Sequence, residues 1–297
     1  MKYILLLFIG LIWGSQYVFN AIALHDFSAF GLTAWRMFIG FVTLSLLITL
    51  IPAQRSQSLV LTKKLIGLFI VIGAAEAAIP FWLIGFGQMS VSSSVAAIIM
   101  GMIPMLTVLL EVGFKKGHKT SVYEIIGMTL AFVGLIVLVN PSADDFAGSA
   151  LGYVAIFMAA ACFALALILM EKIPREISSV HATRFILAVY ALPMLLIWFL
   201  NSPVMPRGKE SILSVLIIGI FSSGIVYILY LNLIRVSGPT FTSLSNYIVP
   251  LVGTFMGVWF LSEPFTSNIA FALLFIVLGL FIANIKNSSK YFYFLSP

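Results

Sequence analysis

Charge is scarce in this chain. Lys, Arg, Asp and Glu make up 9% of its 297 residues, where soluble globular domains carry about 25%. So few charges cannot clothe a surface that faces water, and a water-soluble protein is excluded. Cysteine occurs once, as Cys162, so no intramolecular disulfide can form, and its place in the sixth apolar run reads as packing. The usual chemistry-bearing patterns are missing as well. There is no His-Glu-x-x-His and no Gly-x-Ser-x-Gly, and no aspartate lies inside an apolar run. His25, His118 and His181 are scattered in loops or at helix ends rather than clustered. These absences argue against an intramembrane enzyme and against a metal or other cofactor. Without a nucleotide-binding loop, an ATP-driven pump is not indicated, and a gradient would supply any driving force.

What the chain has is long apolar runs, 62% of its residues being hydrophobic. A helix needs about 20 predominantly apolar residues to cross a bilayer. Ten spans are predicted, at 3–23, 31–51, 65–87, 93–113, 122–140, 150–170, 179–200, 211–233, 239–260 and 267–285. Runs this continuous are helices and not barrel strands, which alternate over about ten residues. The gaps are too short for a soluble domain, and those at 88–92 and 234–238 require tight turns. The opening "MKYILLLFIG" resembles a signal peptide, but its apolar run is too long for a signal core. The predicted fold is therefore an all-α integral membrane protein.

Basic residues set the orientation of such a chain. Lys2, Arg55, Lys63, Lys64, Lys115, Lys116, Lys119, Lys172, Arg175, Arg235, Lys286 and Lys290 fall on the side of the N-terminus, and only Arg207 and Lys209 on the other. Both termini are then expected in the cytoplasm, with the protein in the cytoplasmic (inner) membrane. The net charge of +6 belongs to this cytoplasmic rim and gives no reason to expect a nucleic-acid partner.

The chain also repeats itself at a spacing of about 148 residues. "AWRMF" (34–38) answers "ATRFI" (182–186), "VSSSVAAIIMGMIP" (91–104) answers "VSGPTFTSLSNYIVP" (236–250), and "GMTLAFVGLIVLV" (127–139) answers "ALLFIVLGLFIA" (272–283). Two halves follow, 1–140 and 150–297 (the latter with a short cytoplasmic tail), joined by the polar turn cluster 141–149. Five spans is an odd number, so the second half enters the membrane from the opposite face. Such an inverted repeat is a recurring plan of secondary transporters. Arg36 and Arg184 occupy equivalent places in the second and seventh spans. They read either as side chains reaching for an interface or as residues of gating or substrate attraction.

"WGSQYVFN" (13–20), the arginine of "AWRMF", "SSSVAAIIMGMIPMLTVLL" (92–110) and "TSLSNYIVPLVGTFMGVWFLSEP" (242–264) together resemble the drug/metabolite transporter superfamily in its EamA-type branch. The resemblance covers essentially the whole chain. It implies ten helices in two inverted halves, with helices one to four and six to nine around a central cavity. It also implies small substrates, such as amino acids, sugars, nucleotide-type metabolites or amphiphilic compounds, often moved outward. The sixth span, "AACFALA" (160–166), lacks the Trp-Gly-Ser of the first, and "FKKGHK" (114–119) stands where the ninth span has "FLSEP" (260–264). A site with strict two-fold symmetry is not implied.

Polar residues within spans point inward, away from lipid. Trp13, Gln16, Tyr17 and Asn20 share one face of the first span by helical spacing. Ser223, Tyr227 and Tyr230 share a face of the eighth, and Thr242, Ser243, Asn246, Pro250 and Gly253 one of the ninth. The third span carries Gly73, Glu76, Pro80 and Gly87 on a single face. Each such stripe is either a cavity lining or a helix-packing seam. Gly127, Ala131 and Gly134 in the fifth span have no polar company and read as close packing, within the protein or in a homodimer through helices five and ten.

Pro80, Pro104 and Pro250 each lack the N–H that would bond the carbonyl four residues back, and a freed carbonyl inside a membrane needs a partner. At Glu76 and Asn246 a polar side chain stands at the level of that carbonyl. A charged residue at mid-span costs roughly 2.5–3.5 kcal/mol on insertion scales. Glu76 therefore reads as a proton carrier or a partner for a cationic substrate group, or else as a neutral acid that ties helices together. Glu111, with Lys115 at i+4, reads as half of an interfacial ion pair. The sequence points to a secondary carrier of small organic solutes, an exporter coupled to protons through Glu76. A gradient-driven facilitator or exchanger, and a non-transport membrane receptor or scaffold, stand as alternatives.

Overall fold

Long apolar runs satisfy their backbone groups within the helix, and the described residues are accordingly helical almost throughout. The computed structural model describes residues 1–55, 62–87, 90–91, 93–115, 120–201, 207–260, 266–285 and 291–292. Lys116, His118, Lys119, Glu263, Lys286, Lys290 and most of the tail lie outside them. The helices are α1 (Lys2–Ala23), α2 (Ala29–Leu50), α3 (Pro52–Arg55), α4 (Lys63–Gly73), α5 (Ile79–Gly87), α6 (Ser93–Met100), α7 (Ile103–Phe114), α8 (Val122–Val139), α9 (Ala150–Glu171), α10 (Ser179–Asn201), α11 (Lys209–Ile217), α12 (Val226–Ser243), α13 (Ser245–Phe260) and α14 (Ser267–Ala283). Among the described residues, seven helical stretches are long and apolar enough to cross a membrane. The one sheet among them is a two-residue antiparallel pair, Thr120–Ser121 with Tyr291–Phe292.

Local chemistry sets many of the ends. The Ser28 hydroxyl accepts the Gly31 amide at the start of α2 and Thr62 does the same for Leu65 at α4, supplying partners for otherwise orphaned N–H groups. Ser121 and Glu124 form a reciprocal capping box on α8. That helix stops at Asn140, in the left-handed region at φ 46°, and Pro141 follows.

Two helices contain π-helical turns, in which hydrogen bonds run from i to i+5. Ala74–Ala78 lies between α4 and α5, just before Pro80, and Ile218–Ile225 lies between α11 and α12. The fourth predicted span is broken at Gly101 and Met102, and Pro104 sits in the first turn of the helix that restarts there, where its missing N–H costs nothing. Around the predicted turn at 234–238 the helix persists and breaks only at Gly238, with φ 80°. At the other predicted turn, 88–92, Ser90 and Val91 bond back to the Gly87 carbonyl.

The chain forms two compact units that cut across the repeat boundary, each taking a stretch from either half. One comprises Met1–Ala77 with Leu169–Gly238, the other Ala78–Ile168 with Pro239–Pro297. The first is built on α2 against α10, with Met37, Leu44, Ile48, Leu187 and Ala191 in its core. A second cluster joins Ala23, Phe27 and Leu32 to Val215 and Ile218. In the second unit α8 lies along α14. A methyl added at Gly127 would stand 2.3 Å from the Ala283 nitrogen, and one at Gly134 2.9 Å from the Ile276 nitrogen. The small-residue face of α8 is thus a packing seam inside the protein.

Candidate functional site

Arg36 is the organising residue of the first unit. It sits on α2 and turns its guanidinium to neutral acceptors. Nε donates to Ser223 Oγ at 2.9 Å, and Nη2 donates to Gln16 Oε1 at 2.7 Å and to the Ser222 carbonyl at 3.5 Å. Trp13 Nε1 donates to the same Ser222 carbonyl at 3.2 Å, and Ser222 Oγ donates to the Ile12 carbonyl at 3.3 Å. The π turn Ile218–Ile225 thus receives bonds from both α1 and α2.

Two glycines allow this approach. A methyl at Gly40 would lie 2.9 Å from the Ser223 carbonyl carbon and oxygen, and one at Gly219 2.5 Å from Ile39 Cβ. Without side chains at these points, α2 reaches the backbone of the π turn directly.

One turn further along α12, Tyr227 and Tyr230 flank the Trp13 indole. The ring centroids lie 5.8 and 4.8 Å from it and 6.4 Å from each other, all edge to face. Such pairs contribute about 0.5–1.5 kcal/mol each beyond the area they bury. The Tyr227 hydroxyl donates to Glu76 Oε1 at 3.4 Å. Glu76 is 5% exposed, lies in the other π turn, Ala74–Ala78, and its Oε2 is buried with no partner among the described residues. Tyr227 stands within electrostatic reach of Glu76 and Arg36 alike. A half-buried guanidinium, a buried carboxyl group with an unsatisfied oxygen and three aromatic rings thus meet in one unit.

Of the residues singled out in the sequence, Trp13, Gln16, Arg36, Glu76, Tyr227 and Tyr230 are brought into this cluster. Asn20 continues the same face of α1, and its Oδ1 is buried without a described partner; the side chain of Tyr17 lies outside the described residues. Arg184, the counterpart of Arg36, lies 4.9 Å over the Phe185 ring, which stacks on Phe69. Gly73 abuts the Tyr190 ring, a packing contact. Asn246, Pro104 and Pro250 belong to the second unit. There the Asn246 amide donates to the Ser243 carbonyl at 2.9 Å, and α13 runs through Pro250. Pro80 follows the π turn that carries Glu76.

Glu111 is buried in the second unit, paired with Lys115 Nζ at 2.6 Å and accepting from Thr240 Oγ1. The ion pair expected from the i, i+4 spacing is present.

Sequence reasoning did not single out Ser222, Gly40 or Gly219. The signal was "FSSG" (221–224) inside an apolar run one turn before Tyr227.

The family model described as the EamA-like transporter family matches residues 1–140 and again 150–285. The chain is 23% identical to a Bacillus subtilis protein called uncharacterized transporter YoaV, over 92% of this chain and 93% of that one. It is also 23% identical to an uncharacterized transporter of Archaeoglobus fulgidus, over 67% of this chain and 70% of that one. A solved crystal structure is similar over 96% of this chain and 98% of its own, with a TM-score of 0.78 and 20% identity, a likeness that speaks for the fold alone.

Proposed function

The chain belongs to the EamA-like transporter family, and on that premise we propose that it carries small organic solutes out of the cell by alternating access, exchanging them for protons at Glu76. The solutes in question are amino-acid-like metabolites or amphiphilic compounds. The observation that carries this reading is the buried polar cluster itself. Arg36 and Glu76 are expensive inside apolar helices, and a transporter repays that expense by using them on a cargo. The unpartnered Glu76 Oε2 suits a group that takes up and releases a proton.

Ten spans in two inverted halves fit this function, as do cytoplasmic termini in an inner membrane. Supporting the repeat, the π turns Ala74–Ala78 and Ile218–Ile225 overlap when shifted by the repeat spacing, and each lies in the third span of its half. The chain passes between its two compact units at Ala77, inside the first π turn, at Ile168, within the regular helix α9, and at Gly238. A homodimer through helices five and ten would have to use faces other than the Gly127 seam.

One observation favours a second reading, a gradient-driven facilitator or exchanger with a structural Glu76. The Tyr227 hydrogen bond ties Glu76 to a neighbouring helix, as a structural acid would be tied. Untargeted mass spectrometry of spent medium, from cells making wild type, Glu76→Gln or neither at matched membrane levels, separates the two. Solutes released by wild type alone support proton exchange, and equal release by the variant assigns Glu76 to structure. If the medium is unchanged in all three, the export reading fails.

A further inference from the structure

Resting on the transporter reading above, we propose that the cargo carries an anionic group, a carboxylate in its simplest form, and that the free Nη1 of the Arg36 guanidinium receives it. Arg36 is a permanent cation, half-buried within an apolar span, where charges are normally paired. The ion pair Lys115–Glu111 lies in the other unit. The partners of Arg36 are instead an amide oxygen, a hydroxyl and a carbonyl, all neutral.

Those three acceptors do more than satisfy donors. They fix Nε and Nη2, and so set the plane of the guanidinium. Nη1 donates to none of the described residues. Nη2 gives its two N–H groups to Gln16 and Ser222, so the donors to spare are those of Nη1, held in place to meet an oxygen of a carboxylate through charge-assisted hydrogen bonds. The carboxyl group of Glu76 in the same unit accepts from Tyr227, and the acceptors Arg36 has among the described residues are neutral.

The surroundings say what accompanies the anionic group. Trp13 and Arg36 share the Ser222 carbonyl, which fixes the indole beside the guanidinium, and Tyr227 and Tyr230 pack on that indole. An anionic head next to a flat apolar body is the chemistry these side chains recognise, that is, a small amphiphilic carboxylate.

Matched probes test this on the full-length protein in lipid nanodiscs, using 3-phenylpropionate, its primary amide and phenethylamine, with the thermal unfolding midpoint followed against concentration. The acid is expected to raise the midpoint of the wild type at concentrations at least about tenfold below those the amide or the amine needs. Arg36→Gln should abolish the acid-over-amide preference. Arg36→Lys should keep part of it, as a point charge without the fixed orientation of the guanidinium. Equal response to acid and amide in the wild type, no response to either, or a preference that survives Arg36→Gln overturns the proposal. The wild-type comparison does not depend on any variant folding. An acid preference in a protein that moves no solute would leave the anion site standing and sink the transporter reading. Export of solutes without an anionic group would do the reverse.

Discussion

Arg36 Nε and Ser223 Oγ meet at 2.9 Å although the two residues are 187 positions apart. The bond joins α2 of the first half to the π turn of the second, and it exists because Gly40 lets α2 settle against the Ser223 backbone.

Gly40→Ala is expected to disturb that junction. The added methyl meets backbone, which cannot swing aside as a side chain can, and overpacking of this kind costs about 1–3 kcal/mol. The thermal midpoint should fall and solute export should fall with it, because Ser222 and Ser223 hold Arg36 and Trp13. Wild-type stability and wild-type export in this variant would falsify the close approach.

Tyr227→Phe removes the one hydrogen bond to Glu76 that the described residues provide. A bond of this kind contributes about 0.5–1.5 kcal/mol net. Residues in direct contact are non-additive, so Glu76→Ala/Tyr227→Phe should lose little more than Glu76→Ala alone, in both unfolding midpoint and export rate. Losses that simply add would mean that the two groups act independently.

Gly127→Ala tests the other unit. Its methyl would meet the Ala283 nitrogen at 2.3 Å and the Gly279 carbonyl at 2.4 Å, backbone on backbone, where small residues allow close helix contact. A destabilisation of about 1–3 kcal/mol is expected, while the ratio by which the wild type prefers 3-phenylpropionate over its amide should stay unchanged. A variant as stable as wild type would show that α8 and α14 do not pack through this seam.

The cluster was partly legible because helical spacing is strict. Trp13 and Gln16 three apart, and Tyr227 and Tyr230 three apart, could only share a face, and a carboxyl in the middle of an apolar run marked Glu76. Arg36 stood between two readings because spacing alone cannot say whether a long side chain turns inward or out to an interface. The π turns were not legible. Their widened bonding is settled by what packs against them, such as Gly40 on Ser223 and Ile39 on Gly219, and not by local propensity. The interleaved units escaped for a related reason: contacts such as Trp13 with Ser222 are set by tertiary packing, while a repeat shows only which segments are alike.

Gly238→Ala probes the break in α12. At φ 80° and ψ 168° the backbone lies in a region essentially reserved for glycine, and a side chain there costs on the order of 1–3 kcal/mol. The variant should unfold at lower temperature. Unchanged stability would mean that the chain turns elsewhere between Val236 and Pro239.

Glu76 and Glu111 make the sharpest comparison, because both are buried carboxyl groups and their company differs. Glu111 has Lys115 and Thr240 as partners. Glu76 has one tyrosine hydroxyl and an oxygen with no described partner. Glu111 already holds a cationic partner, whereas a carboxyl group without one can exchange a proton for a ligand. Export driven by an imposed pH gradient in proteoliposomes should therefore lose its dependence on that gradient in Glu76→Gln and keep it in Glu111→Gln. The Glu111 variant retains an acceptor for Thr240, and the released Lys115, about a third exposed at 35%, can reach water. If the two variants respond alike, burial alone governs both carboxyl groups, and the partners that distinguish them have no bearing on transport.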